Sequence, residues 1–434
     1  MTNGPHQQPR TLVVGCVADD VTGATDLAVN LVQGGMSVVQ IVGVPSPEDL
    51  RQLDADAVVV ALKTRSIPAE QAVLQSLAAL DMLRNAGIDR FFFKYCSTFD
   101  STEEGNIGPV AEAMMDSLGA AQTVFCPALP RNGRTVYMGH LFVNGRLLSE
   151  SGMENHPLNP MTDPDLVRFL GKQTSRQTGL LPYDAFSAGD DGLATALQQT
   201  VDSGVRMLIA DACDDGHLAM LARAVGHMRL VTGGSGIARY LPDVYREAGL
   251  LASPPFQPEL PNISGRSLIL SGSCSTATNG QVAWMKQRCP AWRIDVPAII
   301  DDPNRELNKM LDWAKESDPN WPLLIYSTAP PDQVAELQGR FGRDAAAHAI
   351  EDIHASLASA MVDKLDVRRL VLAGGETSGA VTQRLGVRSL RIGPEICAGV
   401  PWTVSSGDPP LALALKSGNF GGEDFFGAAL EMLA

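Results

Sequence analysis

Two adjacent carboxylates, Asp19 and Asp20, stand where the apolar run Thr11 to Ala18 stops. A third, Asp26, follows in the helix that opens through Thr22-Gly23-Ala24. In an open parallel sheet, ligands bind outside the carboxyl ends of the strands, so these acids are placed to bind hydroxyl groups or to activate one. An Asp that merely caps the helix or faces water would read the same way. A second strand end, after Ala57 to Leu62, carries Lys63-Thr64-Arg65-Ser66. It could hold a carboxylate, Arg65 as a bidentate fork and Lys63 as a point charge, or both cations could point into water ahead of Pro68. A third apolar strand, Arg90 to Tyr95, contains Lys94. A bare charge there is expensive, so Lys94 calls for an acidic side chain or a bound acid. Ser97 and Asp100 follow within reach of sugar-like hydroxyls.

Other strand ends are rich in small residues. Leu230 to Gly236 ends in Gly233-Gly234, readable as an anion nest for a carboxylate or as a tight turn alone. Ser267 to Leu270 runs into Ser271-Gly272-Ser273-Cys274-Ser275-Thr276, whose hydroxyls could meet phosphate or ribose. Arg368 to Gly386 reads as a buried strand, a Gly374-Gly375 turn and a helix capped by Thr377 or Ser378. That is the geometry of an anion site, since glycines admit a bulky ligand to the backbone and the free amides of the helix start point outward. Near the end, Lys416-Ser417-Gly418-Asn419-Phe420-Gly421-Gly422-Glu423-Asp424 reads as a lid over phosphates.

The elements that must position these groups alternate strand and helix, which predicts an α/β fold of two doubly wound domains with mostly parallel sheets and a ligand cleft between them. At 434 residues the chain exceeds what one core usually serves. Ser253 to Gly265, with four prolines and no periodicity, marks a linker between domains at 1–252 and 266–434. Val136-Tyr137-Met138 and Leu141-Phe142-Val143 around Asn144-Gly145 suggest a hairpin inserted into this layout, with His140 and His156 as pocket walls.

Composition excludes whole classes. With 45% hydrophobic and 19% charged residues the chain is globular, and a net charge of -15 without a Lys/Arg cluster argues against nucleic acid. No apolar run reaches the length of a membrane span, the first residues lack a signal-peptide core, and seven scattered cysteines without a CxxC fit reduced thiols. The expected location is the cytoplasm.

The blocks ADDVTGATD, KTRS, KYCSTFDSTEEGNIGPV, GGETSGA and KSGNFGGEDFF together resemble the four-carbon acid sugar kinase family over nearly the whole chain. Within it, CSTFDST, GRTVYMGHLFVNG, LSESGM and SGSCSTATNGQ are closer to the branch acting on 3-oxo-tetronate than to the threonate or erythronate branches. The resemblance implies ATP-dependent phosphorylation of the C4 hydroxyl of a four-carbon sugar acid, with the acid on the N-terminal domain and the nucleotide on the C-terminal one. It places the nucleotide at Ser273, Ser275, Gly374, Gly375, Glu376, Thr377, Gly399, Gly418 and Gly421. Phosphoryl transfer asks mainly for positioning and charge compensation. Glu376 or Glu423 would then hold Mg²⁺ through water, Asp19 or Asp20 would be the base, and Arg65 and Lys94 would hold the acid's carboxylate. The implied partners are the sugar acid and ATP, with neither nucleic acid nor membrane and a homodimer left open. A non-catalytic sugar-acid-binding regulator is a distant alternative, and a nicotinamide dehydrogenase lacks its GxGxxG.

Overall fold

The computed structural model describes residues 10–51, 53–155 and 159–433; His156 lies outside them. The chain divides into two compact units, Met1–Gln257 and Pro258–Ala434, and the break falls within the proline-rich stretch.

In the first unit the strands are, in chain order, β1 (Val14–Ala18), β2 (Val38–Val42), β3 (Ala57–Ala61), β4 (Phe91–Lys94), β5 (Thr123–Cys126), β6 (Arg134–Tyr137), β7 (His140–Val143), β8 (Arg146–Leu147), β9 (Thr178–Leu181), β10 (Met207–Ala210) and β11 (Leu230–Gly233). Their order in the main sheet is β2-β3-β1-β4-β11-β5-β10-β9, with neighbours parallel. Helices cover both faces of such a sheet, so β1, β3 and β4 are buried throughout and read as unbroken apolar runs. The chain leaves β1 toward β2 on one side and returns to β4 on the other. The ends of β1 and β4 therefore flank a topological switch point, where the sheet opens a crevice.

The insertion differs from the single hairpin expected. β6, β7 and β8 form an antiparallel meander with turns at Met138-Gly139 and at Asn144-Gly145. Met138 has φ 48° and Asn144 φ 51°, left-handed backbone that Met rarely adopts. The buried Asp211 carboxylate holds the first turn by accepting N–H groups from Met138 at 2.7 Å, Gly139 at 2.9 Å and Tyr183 at 2.8 Å. Burial raises the pKa of Asp211, and those amides oppose the rise.

The second unit holds β12 (Arg266–Ser271), β13 (Ala291–Arg293), β14 (Leu323–Tyr326), β15 (Val367–Ala373), β16 (Ser389–Cys397), β17 (Val400–Ser405) and β18 (Ala412–Lys416). Their order is β13-β14-β12-β15-β18-β17-β16. The β13 to β18 portion is parallel, whereas β17 and β16 join antiparallel, so this domain is wound α/β on one side and a meander on the other. Alternate residues of the central strands feed two cores: Leu268, Leu270, Leu370 and Leu372 on one face, Ile269, Val371, Trp402 and Phe426 on the other.

The helix that packs on the Leu268 and Leu370 face hides a titratable group. His354, in the helix Arg343–Lys364, is fully buried; its Nδ1–H donates to Ile350 O at 2.8 Å, and Nε2 has no partner among the described residues. Burial lowers its pKa to about 4. Above pH ~6.5 the folded and unfolded chains both carry neutral imidazole, but as pH falls toward 4 only the unfolded chain takes the proton. Stability of roughly 3 kcal/mol should disappear over that interval. Urea titrations at pH 7 and pH 4.5 should show His354→Leu with a flatter acid limb than the wild type; equal limbs would refute the assignment.

Candidate active site

At the switch point of the first unit, Asp19, Asp20, Arg65, Lys94 and Asp100 come together from the ends of β1, β3 and β4. Asp19 is 2% exposed, and its backbone locks the neighbouring ends: its N–H donates to Lys94 O, and its carbonyl accepts from Thr64 and Arg65. Both of its carboxylate oxygens are occupied, Oδ2 by Arg65 Nε at 2.9 Å and Oδ1 by Nη2 at 2.8 Å. The same Nη2 reaches Asp20 Oδ1 at 2.5 Å, and Nη1 lies 3.9 Å from Asp100 Oδ2. Burial raises the Asp19 pKa against the pull of Arg65. For Arg65, burial works against the charge, but Asp19 and then Asp20 overcome it and hold its pKa above the ordinary value. The fork expected to face a substrate carboxylate is thus engaged by protein carboxylates, because a carboxylate buried as deeply as Asp19 is costly without a counter-charge.

Asp20 has a different role. It caps the helix Val21–Gln33, Oδ1 accepting from Gly23 N–H at 2.9 Å, and its side chain is 26% exposed. Oδ2 accepts no hydrogen bond among the described residues. A Cβ added at Gly23 would lie 2.3 Å from Asp20 Oδ1 and 3.0 Å from Lys94 Nζ, so glycine lets the carboxylate and the ammonium converge. Lys94 is 2% exposed and donates to Tyr95 O at 2.7 Å. It makes no ion pair among the described residues, which leaves ammonium N–H groups for an anion.

Two carboxamides that the sequence reading missed fix the neighbouring loops. Asn106 Nδ2 donates to the carbonyls of Thr64 at 2.6 Å, Arg65 at 3.2 Å and Ile67 at 3.2 Å. Asn159 Nδ2 donates to Asp100 Oδ1 at 2.8 Å. Ser97 is half-buried on the turn that ends at Phe99, whose φ of 53° is held by edge contacts of its ring to Tyr95 and Phe169. A non-glycine residue in that region signals backbone strain next to a site.

Other expected ligand residues fall elsewhere. Lys63 is exposed, and Asp26 accepts from Asn30 Nδ2 at 3.3 Å farther along its helix. Gly233 and Gly234 form no open nest: an added Cβ would lie 2.4 Å from Cys126 O and 2.8 Å from Pro127 O respectively, and Gly234 N–H already donates to Cys126 O. Glycine is needed there for close packing of backbones.

In the second unit, three loops meet at the ends of the adjacent strands β12, β15 and β18. Ser275 caps the helix Thr276–Met285, and Ser273 N–H donates to Ala373 O. Gly374, with φ 127°, donates to Lys416 O at 2.8 Å and leads directly into the helix Gly375–Arg384. The cap is therefore Gly374, while Thr377 and Ser378 lie buried in the first turn. Gly418 closes the group, since a Cβ there would lie 2.7 Å from Ser273 Oγ. Gly399 and Gly421 serve packing: each has a positive φ and faces an aromatic ring, Phe420 and Phe425 respectively, and Gly399 N–H donates to Glu395.

Beside the Gly374 turn lies a cavity of roughly 200 Å³ walled by Gly272, Val334, Leu337, Ala346, Ile350 and Thr377. Ser327 also lines it, its Oγ buried and without a partner among the described residues. Its walls are mainly apolar, with Gln338, Arg343, Glu351 and Glu376 supplying polar groups, a mixture that suits a heteroaromatic ring with polar edges. Glu376 and Glu423 are exposed at these loops, and the described residues hold no group of three or more His, Cys, Asp or Glu suited to a metal.

Lys416 is the clearest feature that sequence reasoning passed over. In the sequence it stands as the basic start of a lid, yet it ends β18 fully buried, and burial lowers its pKa to about 8. The signal was available, because ALALK repeats the FFFK pattern of β4, an apolar strand ending in Lys.

A model of the sugar-binding N-terminal domain matches residues 14–241, and one of the nucleotide-binding C-terminal domain matches residues 268–426. The chain belongs to the four-carbon acid sugar kinase family. Among the relatives of this family member, the 3-oxo-tetronate kinase of Cupriavidus necator is 51% identical, covering 97% of each chain. That of Pseudomonas fluorescens is 50% identical, covering 98% of each. A solved structure from Salmonella typhimurium LT2 is 43% identical with a TM-score of 0.89, covering 96% of this family member and 99% of that chain. No helix among the described residues is long and apolar enough to cross a membrane.

Proposed function

We propose that this protein phosphorylates the C4 hydroxyl of 3-oxo-tetronate at the expense of ATP, giving the 4-phosphate and ADP, in the cytoplasm. The observation that carries this reading is the convergence on Gly23 of Asp20, with one carboxylate oxygen unpartnered, and Lys94, a buried ammonium without an ion pair, both among the described residues. An acid sugar needs both: a cation for its carboxylate and a proton acceptor for its reacting hydroxyl. The names of relatives about half identical over nearly the full chain support the same substrate.

In this reading the first unit binds the acid and the second the nucleotide. Lys94 holds the carboxylate, with Ser97 and Asp100 on hydroxyls. Asp20 Oδ2 accepts the C4 hydroxyl proton as the substrate's C4 oxygen bonds to the γ-phosphorus and the bond from the γ-phosphorus to the β-phosphate oxygen breaks, releasing ADP. Asp19 and Arg65 act as the buried frame that orients Asp20. The loops at Ser273, Gly374 and Gly418 receive the phosphates, and the slot beside Ser327 receives the adenine. Glu376 or Glu423, both exposed at these loops, would hold Mg²⁺. When bound, it would neutralise charge on the phosphates.

The test is ADP release from purified protein with 3-oxo-tetronate, D-threonate and D-erythronate. We expect the highest kcat/KM on the 3-oxo acid. Preference for either hydroxy acid would reassign the substrate, and acid binding without ADP release would leave only a binding protein.

A further inference from the structure

The loop that follows β18 has its carbonyls turned inward, and a single buried cation begins the pattern. Lys416 Nζ donates to Ser417 O at 3.1 Å, Gly418 O at 3.0 Å and Thr278 Oγ1 at 3.0 Å, using all three of its protons on neutral oxygens. No carboxylate pairs with it among the described residues. Gly418 O also accepts from Ser275 Oγ at 2.5 Å and Thr278 Oγ1 at 2.8 Å. Farther along, Gln281 Nε2 donates to the carbonyls of Phe420 at 2.9 Å, Gly421 at 3.1 Å and Gly422 at 3.0 Å. In a trans peptide the N–H points opposite to the carbonyl it is bonded across from. Drawing Ser417 O and Gly418 O inward therefore turns the N–H groups of Gly418 and Asn419 outward, and neither has a partner among the described residues. Successive outward amides form an anion-binding concavity.

We propose that Lys416 is a positioning residue for nucleotide phosphates: it never touches them, but fixes the peptide planes whose amides do. The inference rests on the nucleotide reading of this unit and deepens it. A fully buried lysine is an expensive way to fill space, since burying its charge weakens the core unless its protons are all received. Here they are received by the loop's own carbonyls. A lysine meant to contact phosphate would keep at least one proton for it.

The experiment compares binding of ADP and of adenosine to full-length wild-type protein and Lys416→Met by calorimetry, with 3-oxo-tetronate binding and thermal melting as controls. Loss of the outward amides should weaken ADP by about 10- to 100-fold. Adenosine and the sugar acid should bind as before, because neither needs the phosphate loop. Steady-state kinetics should show the loss in KM for ATP more than in kcat. Should Lys416→Met fail to fold, Thr278→Val removes one of its three acceptors at nearly constant volume and should show a smaller loss of the same selectivity. An unchanged ratio of ADP to adenosine affinity in a folded variant, or equal weakening of both, would overturn the proposal. Wild-type protein that binds neither nucleotide nor nucleoside would instead remove the parent reading, and this inference with it.

Discussion

Asp20→Asn is expected to lower kcat by about 10²- to 10⁴-fold while the protein stays folded and still binds both substrates. The substitution keeps what Asp20 does for the fold. Asn is as good an N-cap as Asp, so the acceptor for Gly23 N–H survives, and the Asp19 pair with Arg65 is untouched. What disappears is a basic oxygen at Oδ2, which carries no partner among the described residues and belongs to a side chain that is 26% exposed. Asp19 cannot replace it, because both of its oxygens are taken and its side chain is 2% exposed. A variant with wild-type kcat would remove Asp20 from the chemistry; a variant that no longer binds the acid would make it a binding residue instead.

Arg65→Met should cost about 3–5 kcal/mol of stability at neutral pH, because it leaves Asp19 charged, buried and unpaired beside Asp20 and within the same cluster as Asp100. The deficit has a predictable pH dependence. Without Arg65 the folded-state pKa of Asp19 rises farther above its unfolded value, so the folded protein takes up a proton that the unfolded chain still lacks, and part of the deficit is recovered as pH falls. Denaturant melts at pH 7.5 and pH 5.5 should therefore show a smaller gap to wild type at the lower pH. A deficit below about 1 kcal/mol at pH 7.5 would mean that the pair behaves as a surface salt bridge. Activity should be lost as well, since Arg65 holds Asp20 in place.

These expectations rest on groups that were visible in the sequence to different degrees. Strand ends were legible because strands covered on both faces must be apolar throughout, so the first polar or glycine residue after the run marks the sheet's edge: Asp19 after VGCVA, Lys94 in FFFKY, Gly374 after LVLA at Leu370 to Ala373. The linker was legible because four prolines admit no regular element. The second turn of the β6–β8 insertion announced itself as Asn144-Gly145, but the first, Met138-Gly139, did not: Met at a positive φ is tolerated only because Asp211, some seventy positions away, accepts the turn's amides.

The amino-acid sequence alone determined the alternation of strand and helix, the two-domain layout, the family and the set of polar residues at the strand ends. Only the tertiary structure decided who partners whom among them. Arg65 turned to Asp19 and Asp20, Lys94 kept protons to give, Gly233 and Gly234 closed against backbone, and Lys416 went inside. Local sequence reports burial and chain direction through periodicity, which neighbouring residues share. Charge pairing depends on distances between residues from different strands, and those exist only once the sheet has ordered its strands.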